Sequence, residues 1–163
     1  TWKVDGATFL NDVYVTAAGT VYFTDSNTST IYTITNGKVE TVHADATLGG
    51  TNGILVEENT IYLAGYGSGN VYRMDMTTKS VEKIATDVPG GDGIVRYGED
   101  LLVSNWNGQV YHVTMDGVVT LLLDSQEAKL NAADIEVIAD KNLLLVPTFF
   151  GNGVTAYELK ENK

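Results

Sequence analysis

The sequence predicts an all-β fold of the β-propeller class, with four blades visible in its 163 residues. Short segments rich in β-branched and aromatic residues recur about every 40 residues, beginning with residues 20–23 (Thr-Val-Tyr-Phe) and 60–63 (Thr-Ile-Tyr-Leu). Turn-forming pairs such as Asn36-Gly37 and Asp116-Gly117 separate these segments. No stretch of any length has helical periodicity, so a repeating unit of three or four strands indicates propeller blades rather than a sandwich.

The repeats divide a single domain, or propeller fragment, that spans residues 1–163. Their approximate limits are residues 11–51, 52–91, 92–132 and 133–159. The first three repeats each predict a fourth strand, at residues 38–43, 80–85 and 118–123, whereas the fourth repeat stops before its outer strand. Two arrangements remain open: residues 2–4 supply that strand and close a four-bladed ring, or the four blades belong to a larger ring. Residues 125–133 are predicted to form a connecting loop or a single turn.

Composition excludes several functions. A net charge of −11 argues against nucleic acid as a partner and favours cations, with a solvated acidic surface as the more common explanation of such a charge. The chain has no cysteine, which excludes disulfides and thiolate metal sites. No apolar run approaches the ~20 residues needed to cross a bilayer, so no membrane association is predicted. The sequence shows no signal peptide and does not begin with Met, which leaves a periplasmic, extracellular or cytoplasmic location open.

Three polar residues occupy the same position in successive repeats. Asn11, Asn52 and Asp92 are separated by 41 and then 40 residues, and each is predicted to lie just ahead of an innermost strand, at the mouth of the channel. Two amide oxygens and one carboxylate suit a hard cation such as Ca²⁺ or Mg²⁺. Gly53 and Gly93 then allow the backbone to turn tightly. The alternative is that Asn-Gly and Asp-Gly are ordinary turn formers, repeated because the blade is repeated.

The fourth repeat departs from this pattern. When Ile135 is aligned with Val13, Ala133 occupies the ligand position and Asp134 aligns with Asp12. A fourth ligand is therefore not evident. Asp134 and Glu136 become candidates only if the backbone there is offset.

Aromatic residues occupy the loops that should emerge on the same face as the three polar residues. They are Tyr66, Trp106, Phe149 and Phe150. Aromatic groups above a few convergent polar groups are typical of a small-ligand site, which predicts that these four residues bind a small molecule. Packing between blades is the alternative explanation for any one of them.

Five motifs together resemble one known family. Residues 9–13 (Phe-Leu-Asn-Asp-Val), 51–55 (Thr-Asn-Gly-Ile-Leu) and 91–95 (Gly-Asp-Gly-Ile-Val) resemble the metal-site motifs of the senescence-marker-protein, gluconolactonase and luciferin-regenerating-enzyme family. Residues 104–108 (Ser-Asn-Trp-Asn-Gly) and 145–150 (Leu-Val-Pro-Thr-Phe-Phe) resemble its late-blade motifs. The resemblance extends over essentially the whole chain, and it rests on the order and spacing of the motifs rather than on any one of them.

The resemblance implies a six-bladed propeller with one divalent metal in the channel and hydrolysis of lactones or related esters. Asn11, Asn52 and Asp92 match three metal ligands, and Asp92 also matches the candidate catalytic base. Ca²⁺ is the first expectation, with Zn²⁺ or Mg²⁺ as alternatives. The remaining ligand of the family is a glutamate in the first blade, which has no match because this chain corresponds to the last four blades. The missing N-terminal blades, or another copy of the chain, are therefore expected partners.

Three functional hypotheses follow. The first is a gluconolactonase-like, metal-dependent hydrolase of small lactones or esters. The second is a non-catalytic propeller that binds a small ligand or a protein partner through its aromatic mouth. The third is a structural unit whose function requires additional blades. Substitution of Asp92 separates the first from the second, because only the first predicts a loss of turnover.

Overall fold

The computed structural model describes residues 1–160 and is all-β, with four antiparallel sheets in the arrangement of propeller blades. The predicted fold class is confirmed. Each of the first three sheets has four strands in sequential order, and the fourth sheet has three. The strands are β1 Leu10–Val15, β2 Val21–Asp25, β3 Thr30–Thr35, β4 Lys38–Ala44, β5 Thr51–Glu57, β6 Thr60–Gly65, β7 Val71–Asp75, β8 Val81–Ala85, β9 Gly91–Tyr97, β10 Asp100–Asn105, β11 Gln109–Val113, β12 Val119–Asp124, β13 Glu136–Ile138, β14 Leu143–Pro147 and β15 Val154–Glu158.

The predicted outer strands of the first three repeats are present as β4, β8 and β12. A turn at residues 126–129 lies within the predicted connecting segment. Three short 3₁₀ helices, Ala46–Leu48, Ala139–Lys141 and Phe149–Gly151, complete the secondary structure of residues 1–160. No helix among these residues has the length and apolar character needed to span a membrane.

The N-terminal residues do not complete the fourth sheet. Residues 2–4 lie outside any strand, and the Trp2 indole N–H donates a 3.0 Å hydrogen bond to the Gly37 carbonyl of the first sheet. Further along the N-terminal segment, residues 1–9, the backbone N–H groups of Thr8 and Phe9 donate to the Asp25 carboxylate. The segment is thus tied to the first sheet, and the pairing that could close a four-bladed ring is not formed.

Three apolar cores join the four sheets in sequence. Ile31 packs with Ile54 and Val56 between the first and second sheets. Equivalent cores lie between the second and third sheets and between the third and fourth. Within residues 1–160, no such core joins the fourth sheet to the first. The blades therefore form an arc whose two end sheets are not packed against each other.

An ion pair reinforces the junction between the second and third sheets. The Arg96 guanidinium contacts the Glu57 carboxylate, with 2.5 Å between Nη2 and Oε2, and lies 4.9 Å from the centre of the Tyr62 ring. All three side chains come from innermost or adjacent strands. The contact links β5 and β9, the two strands that carry Asn52 and Asp92.

Candidate functional site

A β-bulge marks the ligand position in each of the first three blades. The pairing with the neighbouring strand shifts between Leu10 and Val13, between Thr51 and Ile54, and between Gly91 and Ile94. Two residues thus oppose one at residues 11–12, 52–53 and 92–93. Bulges change the direction of a side chain and are common next to functional sites. The prediction that Asn11, Asn52 and Asp92 lie just ahead of the innermost strands was wrong, because all three lie within β1, β5 and β9.

Two hydroxyl groups link the first and third of these bulges to the next blade. The Thr24 hydroxyl accepts from the Asp12 N–H and donates to the Asn52 carbonyl at 2.8 Å. In the third blade, the Ser104 hydroxyl accepts from the Gly93 N–H and donates to the Ala133 carbonyl at 2.9 Å. Sequence reasoning missed both residues. The sequence feature that could have identified them is their equivalent position in the first and third repeats, which lies directly across from the bulges.

Gly53 and Gly93 serve a purpose different from the predicted tight turn. Both lie in extended strands, without the positive φ angle that favours glycine. A Cβ atom on Gly53 would overlap the Asp92 carbonyl oxygen of the next blade, and one on Gly93 would lie 2.7 Å from the Ile135 nitrogen. The missing side chains therefore allow neighbouring innermost strands to approach closely.

One cavity brings most of the predicted site residues together. It has a volume of about 880 Å³ and is lined by Asn11, Asn52, Asp92, Tyr66, Trp106 and Phe149, together with Phe9, Ser26, Asn27, Gly49, Gly50, Gly67 and Ser68. Among residues 1–160, no Lys or Arg lines it, and Asp92 is its single charged group. The cavity thus combines an apolar aromatic part with a polar part that carries a negative charge.

The aromatic part is a packed cluster. The Trp106 and Phe149 rings meet edge to face with centroids 4.6 Å apart, and Phe150 packs against Phe149 at 4.8 Å. Phe150 itself does not line the cavity, so it supports the cluster from outside. Phe9 does line the cavity, although sequence reasoning did not single it out as a ligand-binding residue. Its signal was its position two residues before Asn11.

Hydrogen bonds orient the three predicted metal ligands. The Asn52 side-chain amide donates to one carboxylate oxygen of Asp92. The Asn11 amide donates to the Ser26 hydroxyl at 3.0 Å, which in turn donates to the Thr51 carbonyl. Both asparagines use their side-chain N–H groups in these bonds, and within residues 1–160 no hydrogen-bond donor reaches their side-chain oxygens.

Two more carboxyl groups lie beside this site. Burial raises the pKa of Asp12 to about 7, and the charge of Asp134 adds to the rise, whereas N–H groups of Ile54 and Val13 oppose it. Asp134 contacts Asp12 directly, and desolvation of its carboxyl group on that side raises its pKa as well, although the residue as a whole is exposed. The two carboxyl groups are therefore expected to share a proton.

The pKa of Asp92 is raised in the same way as those of Asp12 and Asp134. Burial raises its pKa to about 6, the charge of Asp134 adds to the effect, and the hydrogen bond from Asn52 opposes it. A carboxylate in this range is mostly ionised at neutral pH yet basic enough to accept a proton. Asp134 thus acts on the site electrostatically.

The donor set that the structure offers to a cation consists of oxygens. Asn11, Asn52 and Asp92 line the same cavity, as the repeat spacing predicted. Ala133 contributes no side-chain donor, and the Glu136 carboxylate accepts from the N–H of Val137 rather than lining the cavity. Within residues 1–160, no three His, Cys, Asp or Glu side chains are grouped closely enough to hold a metal. Binding of a cation at this site would therefore depend on the side-chain amide oxygens of Asn11 and Asn52 as well as on Asp92.

The chain matches no protein-family profile, and no curated protein matches it in sequence. Solved structures do match. Virginiamycin B lyase from Staphylococcus aureus superposes with a TM-score of 0.65 at 15% identity, over 90% of this chain and 54% of the lyase. A luciferin-regenerating enzyme gives a TM-score of 0.67 at 16% identity, over 85% of this chain and 53% of the enzyme. The computationally designed protein Ika4 gives 0.64 at 9% identity, over 97% and 96% of the two chains.

These similarities establish the fold: the chain is a β-propeller, like proteins that include a lyase and a luciferin-regenerating enzyme. Their level of identity supports the fold that the resemblance implied and does not define a family. The chain spans about half the length of the lyase and of the luciferin-regenerating enzyme.

Proposed function

We propose that this chain carries the substrate pocket and most of the metal ligands of a divalent-cation-dependent hydrolase of small lactones or esters. The observation that supports the proposal is the shared cavity, in which Asn11, Asn52 and Asp92 meet Tyr66, Trp106 and Phe149. Fold similarity to enzymes of the propeller class is consistent with it.

The residues present fit a hard cation. Ca²⁺ binds carboxylate and amide oxygens, and both kinds are available here. The half-buried Asp92 carboxylate receives a single amide hydrogen bond and lies near the charge of Asp134, so a bound cation would compensate the negative charge there. Ca²⁺ suits this set best because it accepts irregular oxygen coordination, while Mg²⁺ and Zn²⁺ remain alternatives. When bound, such a cation would polarise a substrate carbonyl as a Lewis acid.

The chain's own residues would carry the remaining chemistry. The Asp92 carboxylate has one oxygen held by Asn52 and a second oxygen that can accept a proton from water. That water forms the new C–O bond to the carbonyl carbon. When the ring or ester C–O bond breaks, Asp92 returns the proton to the leaving oxygen, so protons balance over the reaction. Tyr66, Trp106 and Phe149 would hold the apolar part of the substrate and exclude water.

Replacement of Asp92 tests this function directly. We expect Asp92→Ala to weaken Ca²⁺ binding at least about tenfold and to reduce lactone turnover by about 10²–10⁴-fold, because it removes the charged ligand and the base together. Ca²⁺ titration by calorimetry and a panel of γ- and δ-lactones measure the two effects. Asn27→Ala is the matched control, since Asn27 lines the cavity but lies outside the repeated column. Unchanged turnover in Asp92→Ala would refute the hydrolase function.

The aromatic cluster favours a second candidate, a propeller that binds a small ligand without turning it over. Trp106, Phe149 and Phe150 form a packed apolar surface beside the cavity, which requires no metal to bind a ligand. Binding of a lactone or other small molecule without consumption, in the presence and absence of Ca²⁺, would favour this candidate over the hydrolase.

Replacement of Trp106 measures the role of this surface under either candidate. We expect Trp106→Ala to weaken ligand binding, or to raise KM, by about tenfold or more, because a large aromatic contact is lost. Trp2→Ala serves as the control, since Trp2 lies on the first sheet away from the cavity. Equal ligand affinity in the two variants would show that the aromatic cluster has only a packing role.

A further inference from the structure

The outward face of the first sheet is apolar, and its innermost strand is uncovered although Phe23 of β2 is only 8% exposed. Val13 and Val15 of β1 are 59% and 58% exposed. Their counterparts in the second repeat, Ile54 and Val56, are 3% and 5% exposed because the first sheet packs against them. The N-terminal segment is tied to the first sheet but leaves Val13 and Val15 open. The first sheet thus has the residues for a blade junction, and within residues 1–160 no other sheet packs on them.

The fourth sheet exposes the opposite kind of face, the one that packs on the following blade in the other repeats. Val154 of β15 is 64% exposed and pairs with Pro147 of β14. In the second repeat, Val71 pairs with Ala64 in the same way, and both are fully buried against the third sheet. The fourth sheet thus presents the face that would normally cover the next blade.

The junction between the second and third sheets shows how these two faces would fit. There, Ala64 and Val71 of one sheet pack with Ile94 and Val103 of the next. By repeat position, Pro147 and Val154 correspond to the first pair. Val13 and Phe23 correspond to the second pair, because Val13 pairs with Phe23 as Ile94 pairs with Val103. The first and fourth sheets therefore present faces equivalent to the two halves of one blade junction.

We infer that two copies of this chain associate head to tail, with the fourth sheet of each packed on the first sheet of the other, to close a ring of eight blades. Two-fold symmetry makes two identical junctions and leaves no end uncovered. Eight blades lie within the usual range of four to eight, whereas three copies would make twelve. The similarity to Ika4 over 96% of that chain shows that a whole chain can consist of such a unit. The inference does not depend on the proposed hydrolase function.

The mass of the chain in solution tests this assembly. Light scattering coupled to gel filtration should give about 35 kDa, twice the 17.6 kDa of one chain. Val13→Glu and Val154→Glu should each give a monomer, because a buried unpaired charge destabilises a junction strongly. Val118→Glu is the matched control: Val118 is 55% exposed but precedes β12 of the third sheet, away from both ends, so this variant should remain a dimer. Circular dichroism confirms that each variant is folded.

A mixing experiment identifies which faces meet. In a dimer of either variant alone, each of the two junctions would contain one substituted face. In an equimolar mixture of Val13→Glu and Val154→Glu, one of the two junctions joins two unsubstituted faces, so a dimer should re-form. A wild-type monomer at all concentrations, loss of the dimer in Val118→Glu, or a mixture that stays monomeric would each overturn the inference. The first of these results would mean that the end faces are covered by something other than a second copy.

Discussion

Gly53→Ala is expected to destabilise the fold by about 3 kcal/mol or more, which is a large fraction of the usual 5–15 kcal/mol stability of a domain. The added Cβ would overlap the Asp92 carbonyl oxygen and lie 3.1 Å from both the Gly93 carbonyl carbon and the Ile94 side chain. Backbone atoms cannot rotate away as a side chain can, and the apolar core between the second and third sheets resists their separation. Urea unfolding followed by circular dichroism measures the change.

Gly153→Ala is the matched control. Gly153 also lacks a left-handed φ angle, and the nearest atom to an added Cβ is the Thr148 hydroxyl at 3.6 Å, an ordinary contact. We expect this variant to stay within about 0.5 kcal/mol of the wild type. If the two variants were equally stable, the close approach of the innermost strands could not be the reason for glycine at position 53.

Stability without bound metal is expected to fall as the pH rises from about 4 to about 7. The folded state keeps the proton of Asp12 up to a pKa of about 7, whereas the ordinary value is 3.8. The stabilisation from this group is therefore fully present below pH 3.8 and is lost as the pH rises through 7. Because the proton is shared with Asp134, the corresponding loss, on the order of a few kcal/mol, belongs to the pair rather than to Asp12 alone. Hydrogen bonds from Thr78 hold the pKa of Asp75 below its usual range. Asp75 therefore contributes stability that is lost only as the pH falls below that range, outside the window of Asp12.

Asp12→Asn tests the assignment, because asparagine has a similar shape and no charge. Denaturant unfolding at pH 5 and pH 8, with a chelator present, should show the wild type losing stability at the higher pH and the variant changing much less. An asparagine N–H can also donate to Asp134, which the protonated acid does in the wild type. The control is Asp87→Asn, at an exposed position. Identical pH dependence in the wild type and Asp12→Asn would contradict a shared proton in the channel.

The strands and their grouping into blades could be predicted from local sequence. Alternation of apolar residues and turn pairs such as Asn36-Gly37 act over a few residues, so the predicted outer strands appear as β4, β8 and β12. The repeat register also placed Asn11, Asn52 and Asp92 in one column, and they do line one cavity. Whether they bind a metal stays a prediction.

The details of the site could not be predicted in the same way. The bulges at residues 11–12, 52–53 and 92–93 depend on the pairing with Thr24, Ala64 and Ser104, which lie 11 or more residues away in sequence. The contact of Asp12 with Asp134 joins the first repeat to the last. Such contacts follow from the curvature of the whole arc, which no local pattern encodes.

The sequence by itself determined the blade as a unit, the number of blades in this chain, and the residues that each blade presents to the channel, because these depend on periodicity and on turn chemistry. Only the tertiary structure decided the rest. It showed that Gly53 and Gly93 allow close approach instead of turning the chain, that two carboxyl groups meet beside Asp92, and that residues 2–4 leave the fourth sheet with three strands. Each of these depends on distances between blades, which arise only when all four pack together.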